Sequence, residues 1–144
     1  MKNSFGITER RCKISDYQFA KSIYQKTTIC SKNYEEMLPS FKFRFHRDWK
    51  RIKILMKGKG RIGFYQILED PEIEDALYIR MIFLSPSYQG KGIGNFLMES
   101  FEKLGYKKLR LLVWDNNPSL NFYKKLGYKV VAKNNHKYTM EKTI

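Results

Sequence analysis

The sequence predicts an α/β (α+β) fold, in which a mixed, central twisted sheet is flanked by helices. Apolar runs of strand length alternate with stretches whose apolar residues recur at helical spacing. A glycine-rich turn, residues 88–95, stands between a predicted strand and a predicted helix. With 144 residues, of which 42% are hydrophobic, the chain has the size and composition of one domain, residues 1–144.

The chain begins with a predicted strand and helix. Residues 7–14 form the strand, with Ile14 as its last apolar member. Ser15 is the expected N-cap of a helix that runs toward Thr27. The buried face of that helix is expected to consist of Phe19, Ala20, Ile23 and Tyr24.

A second helical region and three strands are predicted next. The helical region lies within residues 32–49, and Pro39 disfavours a continuous helix there. Residues 52–56 and 62–68 flank a Lys-Gly-Lys-Gly turn, which predicts a hairpin. An acidic connection then leads into a strand at residues 76–84.

The second half of the chain predicts two helices, a strand and a hairpin. Gly105 is the expected C-cap of the helix after the glycine-rich turn, and residues 109–114 predict a strand buried on both faces. Pro118 opens a short helix that Gly127 closes, and a final hairpin completes the order β-α-α-β-β-β-α-β-α-β-β. One face of the first of these helices is expected to carry Ile93, Phe96, Leu97, Phe101 and Leu104.

The glycine-rich turn has the features of an anion-binding site. Glycines let the backbone turn its N–H groups toward a ligand, and the start of the helix adds the positive end of its dipole. Together these features predict a phosphate site. Asn95 stands where the dinucleotide fingerprint needs a third glycine, and the Gly-Lys-Ser/Thr of a P-loop is missing. The pattern is instead Gln-x-x-Gly-x-Gly, formed by Gln89, Gly92 and Gly94.

This pattern resembles the pyrophosphate-binding motif of the GNAT family of acetyl-CoA-dependent N-acetyltransferases. A second segment resembles another GNAT motif, because Asn116 is followed seven residues later by Tyr123 and then by the pair Gly127 and Tyr128. The two motifs stand in the family's order, with a strand between them. The resemblance is close over residues 78–128 and covers the earlier half only in its order of elements.

The resemblance implies that acetyl-CoA is the cosubstrate. The glycine-rich turn would bind its pyrophosphate through main-chain N–H groups, and the backbones of Ile82 and Leu84 would bond the pantetheine arm. Asn116 would contact it from the end of the next strand, and Tyr123 would point at its sulfur. A bulge or splay between the two parallel strands would open the slot. The implied binding residues are Ile82, Leu84, Gln89, Gly90, Lys91, Gly92, Ile93, Gly94, Asn95, Asn116 and Tyr123.

The expected reaction is transfer of an acetyl group from acetyl-CoA to a primary amine of a small molecule, peptide or protein. The transfer passes through a tetrahedral oxyanion, which the backbone N–H of Ile82 would stabilise. The departing thiolate must gain a proton, because a free thiol has a pKa of ~8.5. Tyr123 is the predicted general acid. The alternative for Tyr123 is a packing role beside Phe122, with its hydroxyl in water.

No residue is assigned as the general base. Some family members place a Glu where this chain has Tyr78. Glu74, Asp75, His46 and a water relay to solvent stay open as ways to remove the proton of the amine. His136, beside the final hairpin, is expected to be an exposed polar residue. No metal site is expected.

Aromatic residues are dense in the second helical region. They are expected to pack in the core, and the alternative is that they form the wall of a substrate pocket. The residues are Tyr34, Phe41, Phe43, Phe45 and Trp49.

The charge balance leaves other functions open. The chain has 28 basic and 14 acidic residues, and its net charge of +14 attracts anions that include nucleic acid. The alternatives to the enzyme are therefore a non-catalytic CoA-binding regulatory module and a basic nucleic-acid-associated protein. The amine acceptor is not identified, and a homodimer stays open.

The expected location is the cytoplasm. Cys12 and Cys30 fit no metal-ligand spacing and are expected to be reduced thiols. No window reaches the ~18 apolar residues of a membrane helix, and the N-terminus has no signal-peptide core.

Overall fold

The computed structural model describes residues 5–28 and 34–144. Its strands and helices follow the predicted order, β-α-α-β-β-β-α-β-α-β-β. Cys30 lies outside the described residues. The strands are β1 Ile7–Arg11, β2 Lys53–Lys57, β3 Gly60–Glu69, β4 Ala76–Leu84, β5 Lys108–Trp114, β6 Lys129–Asn134 and β7 Lys137–Thr143. The helices are α1 Tyr17–Thr28, α2 Tyr34–Asp48, α3 Ile93–Glu102 and α4 Leu120–Lys125.

The strands form a mixed seven-stranded sheet in the order β1-β2-β3-β4-β5-β7-β6. β1 with β2, β2 with β3, β5 with β7 and β6 with β7 pair antiparallel, whereas β4 and β5 pair parallel. The predicted fold class is therefore confirmed. The chain divides into two compact units, Met1–Gln66 with Met81–Ile93 and Ile67–Arg80 with Gly94–Ile144.

The first unit has an aromatic core between α1, α2 and the strands. Ala20, Ile23 and Tyr24 are buried, as the helical spacing predicts, and the rings of Tyr24 and Phe41 stack with 4.2 Å between their centroids. Phe19 is only half-buried. The core consists of Cys12, Ala20, Ile23, Tyr24, Phe41, Phe45, Ile52, Ile54, Phe64 and Met81.

The prediction that Pro39 interrupts the second helix is wrong, because α2 runs through it. Pro39 cannot donate to the carbonyl of Glu35, and a proline inside a helix costs about 3 kcal/mol. Phe41 and Phe45, which follow it, are completely buried. Each buried side chain of this size contributes about 1.5–3 kcal/mol, so their burial outweighs the cost of the proline.

A buried carboxylate ends β1 earlier than predicted. Asp16 is 2% exposed, and its oxygens accept hydrogen bonds from both terminal nitrogens of Arg10 at 2.9 Å and from Arg61 Nη1 at 3.1 Å. Asp16 also accepts the Lys13 N–H at 2.7 Å, so the chain turns here. Ile14 is exposed, and Ser15 lies inside the 3₁₀ turn Ile14–Asp16 and is not the N-cap of α1.

Two predictions for the second unit are also wrong. β5 is buried on one face only, because Leu109, Leu111 and Val113 are buried while Leu112 is 49% exposed. A strand buried on one face and a strand buried on both faces can have the same apolar run in the sequence. Only the position of the elements that cover the sheet decides which faces are buried. Leu104 lies beyond the end of α3 and is 55% exposed.

Candidate active site

The glycine-rich turn begins where β4 ends, in the first unit. A 3₁₀ turn, Pro86–Tyr88, follows the strand, and the Tyr88 N–H donates to the Ser85 carbonyl at 2.8 Å. The side-chain amide of Gln89 donates to the Leu84 carbonyl at 3.0 Å. Gln89 therefore ties the turn to the end of the strand, so this side chain positions the backbone of the turn.

Two glycines give the turn its backbone conformation. Gly90 has a φ of 71° and Gly92 a φ of 87°, values that a residue with a Cβ rarely adopts. A Cβ on Gly90 would meet no atom within 4 Å, and one on Gly92 would lie 3.4 Å from Phe5 Cζ. All four residues of Gln89–Gly92 are exposed. Within the described part of the chain, no side chain lies over Gly90, so the backbone of the turn is open to a ligand at this position.

Helix α3 starts directly after this turn. The first N–H groups of any α-helix, here those of Ile93, Gly94 and Asn95, have no partner inside the helix, and they carry the positive end of its dipole. Backbone donors beside an open glycine turn fit a phosphate group. Lys91, whose Nζ lies 5.6 Å from the Tyr88 ring centroid, adds a positive charge to the same turn. The residues present fit a pyrophosphate.

Ile82 and Leu84 lie in the last part of β4 and are half-buried. The parallel register pairs Ala76–Ile79 with Lys108–Leu111, and β4 continues beyond it to Leu84. Ile82 and Leu84 thus lie in the part of β4 that comes after the residues paired with β5.

Asn116 lies in the turn after β5, in the second unit, and its side chain is exposed. The next residue shapes the turn, because Asn117 Oδ1 accepts the Ser119 N–H at 2.8 Å and the Asn117 carbonyl accepts the Leu120 N–H at 3.0 Å. Asn117 therefore shapes the turn that leads into α4, next to the exposed Asn116.

Tyr123 lies in the middle of α4. Its ring is half-buried, with the Phe122 centroid 5.2 Å away and the Tyr128 centroid 6.1 Å away, both in edge-on geometry. Burial raises the pKa of Tyr123 to about 12. The phenol therefore keeps its proton throughout the neutral range. Gly127, with a φ of 98°, closes α4 as predicted, and the Tyr128 N–H donates to the Tyr123 carbonyl at 3.1 Å.

Gly94 has a packing role that the motif alone does not reveal. A Cβ on Gly94 would lie 3.2 Å from Phe122 Cζ, closer than a side chain comfortably allows. The second unit thus uses the last glycine of the motif to let α3 and α4 approach each other.

A family model described as "Acetyltransferase (GNAT) domain" matches residues 48–130, which is more than half of the chain. The chain belongs to this family. Its recognition from the two motifs is confirmed. GNAT acetyltransferases use acetyl-CoA as their cosubstrate, so the prediction of acetyl-CoA is confirmed and the chain is an acyltransferase of this family.

Solved structures share the fold at low sequence identity. The PaiA N-acetyltransferase of Thermoplasma acidophilum, solved with coenzyme A, matches with a TM-score of 0.77 at 22% identity, over 96% of this chain and 99% of that one. A GNAT-family acetyltransferase of Listeria monocytogenes matches with a TM-score of 0.70 at 20% identity, over 96% and 95%. The N-acetylglutamate synthase of Neisseria gonorrhoeae, solved with coenzyme A and N-acetyl-glutamate, matches with a TM-score of 0.69 at 14% identity, over 99% and 36%.

Among the residues that the structure describes, none is assigned as the general base. Glu74 and Asp75 are exposed, and Lys107 Nζ lies 3.8 Å from the Asp75 carboxylate. His46 is also exposed, and its Nδ1 lies 2.8 Å from the Lys42 carbonyl. All three side chains lie at the surface, so burial does not single out any of them.

Tyr78, which stands where some family members are expected to place a Glu, borders a cavity of about 260 Å³ in the second unit. Arg110 and Asp70 line the same cavity and pair at 3.0 Å. The N–H groups of Glu72 and Ile73 also bind Asp70, and these contacts with those of Arg110 outweigh its desolvation and lower its pKa. Asp70 is therefore a poor base.

Among residues 5–28 and 34–144, no helix is long and apolar enough to cross a membrane. The same residues contain no group of His, Cys, Asp and Glu that would hold a metal ion.

His136 is exposed, as predicted, with Nδ1 3.4 Å from Asp115 Oδ2. Cys12 is a free, buried thiol. In the aromatic region, Phe41 and Phe45 are core residues, as expected, whereas Phe43 is 66% exposed.

Proposed function

We propose that the chain, acting as one domain over residues 1–144, is an N-acetyltransferase that transfers the acetyl group of acetyl-CoA to a primary amine of a small molecule, peptide or protein. The observation that carries this proposal is the open glycine turn at the start of α3, where Gly90 and Gly92 have positive φ. It supports a pyrophosphate site at the position that the family motif requires.

The proposed cosubstrate contacts follow from the groups each residue offers. The main-chain N–H groups of the turn would bind the pyrophosphate, and the backbones of Ile82 and Leu84 would bond the pantetheine arm. The exposed amide of Asn116 would add a polar contact. The proposed contact residues are Ile82, Leu84, Gln89, Gly90, Lys91, Gly92, Ile93, Gly94, Asn95, Asn116 and Tyr123.

Acetyl-CoA, when bound, supplies an acetyl thioester that a neutral amine can attack. The carbonyl oxygen becomes negative as the amine adds, and we propose that the N–H of Ile82 donates to it. A donor placed in this way stabilises such a transition state by about 2.7–4 kcal/mol in other enzymes. Because the donor belongs to the backbone, substitution of the Ile82 side chain is not expected to remove it.

Tyr123 is proposed to be the general acid that protonates the departing sulfur. Its pKa is about 12, so it arrives at the reaction fully protonated. Complete proton transfer to a thiolate whose conjugate acid has a pKa of ~8.5 would be uphill by about 5 kcal/mol. Removal from water also raises the pKa of a thiol. The difference between the pKa of the Tyr123 phenol and that of the thiol is therefore smaller where water is excluded. We propose that Tyr123 donates a hydrogen bond as charge develops on sulfur and passes its proton as the bond between sulfur and the acetyl carbon breaks. The proton that the attacking nitrogen loses on becoming an amide restores the phenol through solvent, so the protons balance.

The binding site is tested by Gly92→Asp, because a carboxylate in the turn repels phosphate. For the parent, acetyl-CoA at about 100 times its Kd adds ~2.7 kcal/mol of stability. With a shift of ~2–4 °C per kcal/mol for a chain of this length, we expect Tm to rise by roughly 5–11 °C. NAD and ATP should raise it much less. For Gly92→Asp the shift by acetyl-CoA should disappear.

Gly105→Asp is the matched control, because Gly105 has a φ of 97° and a Cβ there would meet no atom within 4 Å. Both variants introduce similar backbone strain, of about 1–3 kcal/mol, but only Gly92→Asp places a carboxylate in the glycine-rich turn. Gly105→Asp should keep the full shift. Equal shifts for both variants would show that acetyl-CoA does not bind at the turn.

Transfer itself is tested with a panel of amines, by measuring free thiol released from acetyl-CoA. Release that depends on both amine and protein is the expected result. A protein that binds acetyl-CoA but acetylates no amine would be a CoA-binding regulatory module. The observation that favours this second candidate is Tyr78, which stands at the position where some family members place a Glu.

A further inference from the structure

The outer side of α2 and the turn after it carry a concentration of positive charge. Six basic residues lie within residues 42–53. The stretch has one acidic residue, Asp48, which is 9% exposed. We use the name basic aromatic face for the exposed residues Lys42, Phe43, Arg47, Lys50 and Arg51.

Helix geometry separates this face from the core. Phe41, Phe45 and Asp48 are buried on the inner side of the helix. Phe43 and Arg47 are one turn apart on the outer side, and Lys50 and Arg51 lie in the 3₁₀ turn Trp49–Arg51 that follows α2. The apolar stripe of α2 is therefore already used by the core of the first unit.

An exposed ring lies within this basic surface. Phe43 is 66% exposed, and the Arg47 guanidinium carbon lies 5.6 Å from its ring centroid. Arg47 also donates to both carboxylate oxygens of Asp48, at 3.0 and 2.7 Å. Because Asp48 compensates the charge of Arg47, this arginine supports the ring, while Lys42, Lys50 and Arg51 supply the net positive charge.

We propose that the basic aromatic face binds single-stranded nucleic acid. A base would stack on Phe43, and Lys42, Lys50 and Arg51 would contact phosphates on either side of it. Cations around an exposed ring are the combination that single-strand binders use, and a base is free to stack on a protein ring only where it is not paired in a duplex. This inference goes beyond the acetyltransferase proposal and does not depend on it.

The charge and shape of this face favour nucleic acid over a lipid surface. A helix that lies on a membrane inserts a broad apolar stripe between lipid head groups. On α2 that stripe is buried, and the outer side offers a single phenylalanine among cations. A strand of nucleic acid needs only one ring per stacked base and one cation per phosphate.

The first test removes the ring. Fluorescence anisotropy would follow a labelled oligouridylate of about 12 nucleotides, within the ~4–16 nucleotides that one single-strand site covers. Phe43→Ala should weaken its binding by roughly 5- to 150-fold, the usual effect of losing one stacked base. The dependence of binding on salt should not change, because no charge is lost. Phe43→Leu, which keeps an apolar side chain without a π face, should bind as weakly as Phe43→Ala.

The second test removes charge. The logarithm of the binding constant falls with the logarithm of salt concentration by about 0.7 for each phosphate neutralised on a single strand. Lys50→Ala with Arg51→Ala should therefore reduce this slope by about 1.4. Lys57→Ala with Lys59→Ala is a control with the same change of charge, because both lysines are exposed, Lys57 at the end of β2 and Lys59 in the turn that follows. We expect the control to keep the parent slope and the parent affinity.

Four outcomes would overturn the proposal. They are no binding of the oligouridylate at low salt, equal losses for the control pair, Phe43→Ala binding as tightly as the parent, and a preference of this face for phosphatidylserine vesicles over the oligouridylate. Thermal melting of each variant shows that it is folded. All substituted side chains are exposed, so unchanged melting temperatures are expected.

Discussion

Replacement of Tyr123 by phenylalanine tests the proposed chemistry most directly. The two rings have almost the same shape, so the contacts with Phe122 at 5.2 Å and Tyr128 at 6.1 Å are retained. Tyr123→Phe should therefore fold normally and bind acetyl-CoA with little change in affinity. What it loses is the single proton that we assign to the leaving sulfur.

The size of the effect follows from that assignment. A positioned acid contributes about 10²- to 10⁴-fold to a step limited by proton transfer. At ~1.36 kcal/mol per tenfold, this range is an increase of about 3–5 kcal/mol in the barrier of the chemical step. Because burial raises the pKa of Tyr123 to about 12, the phenol stays protonated as pH rises through the neutral and mildly alkaline range. Its ionisation should not appear in the pH–rate profile between roughly pH 6 and pH 10.

The assay is single-turnover transfer to an amine from the screen, with acetyl-CoA saturating, so that product release does not limit the rate. Tyr128→Phe is the matched control. Tyr128 is buried beside Tyr123, and its hydroxyl makes no hydrogen bond within the described part of the chain. The control should react at the parent rate. If Tyr123→Phe also reacts at the parent rate, Tyr123 is a packing residue, and the proposed acid is wrong.

Two further predictions concern stability. Hydrogen bonds from Arg10, and to a smaller degree from the Lys13 N–H and Arg61, outweigh desolvation and lower the pKa of Asp16. The stability that Asp16 contributes is therefore present above pH ~4 and lost as pH falls toward its folded pKa. Urea unfolding should show Asp16→Asn to be less stable than the parent by about 2 kcal/mol at pH 7 and a smaller difference at pH 3, and equal differences would refute this reasoning. Pro39→Ala should stabilise the protein by about 2 kcal/mol, because it removes a cost of ~3 kcal/mol within α2 and returns ~0.4–1 kcal/mol to the unfolded chain. An unchanged urea midpoint would mean that α2 accommodates Pro39 without cost.

Local signals were sufficient for the order of elements. The turn at Gly58 and the closure of α4 at Gly127 depend on residues within a few positions, and glycines at positive φ occupy both. The glycine-rich turn belongs to the same class. Its residue types, spacing and place between a strand and a helix all act over fewer than a dozen residues, so the family motif is visible without a structure.

Contacts between residues distant in the sequence decided the continuity of α2 and the buried face of β5, which the spacing of apolar residues does not determine. Helix α2 continues through Pro39 because Phe41 and Phe45 bury their rings against other elements, an energy that no local propensity contains. Leu112 is exposed although it lies in an apolar run, because burial depends on what covers each face of β5.

The candidate site divides in the same way. The sequence by itself determined that Gln89, Gly92 and Gly94 belong to one motif. Only the tertiary structure decided that Gln89 binds the end of β4 and that Gly94 makes room for Phe122. It also decided that burial raises the pKa of Tyr123. The reason is physical: residue type and spacing determine what a backbone segment can do, whereas hydrogen bonding, close packing and desolvation depend on neighbours that the fold brings from elsewhere in the chain.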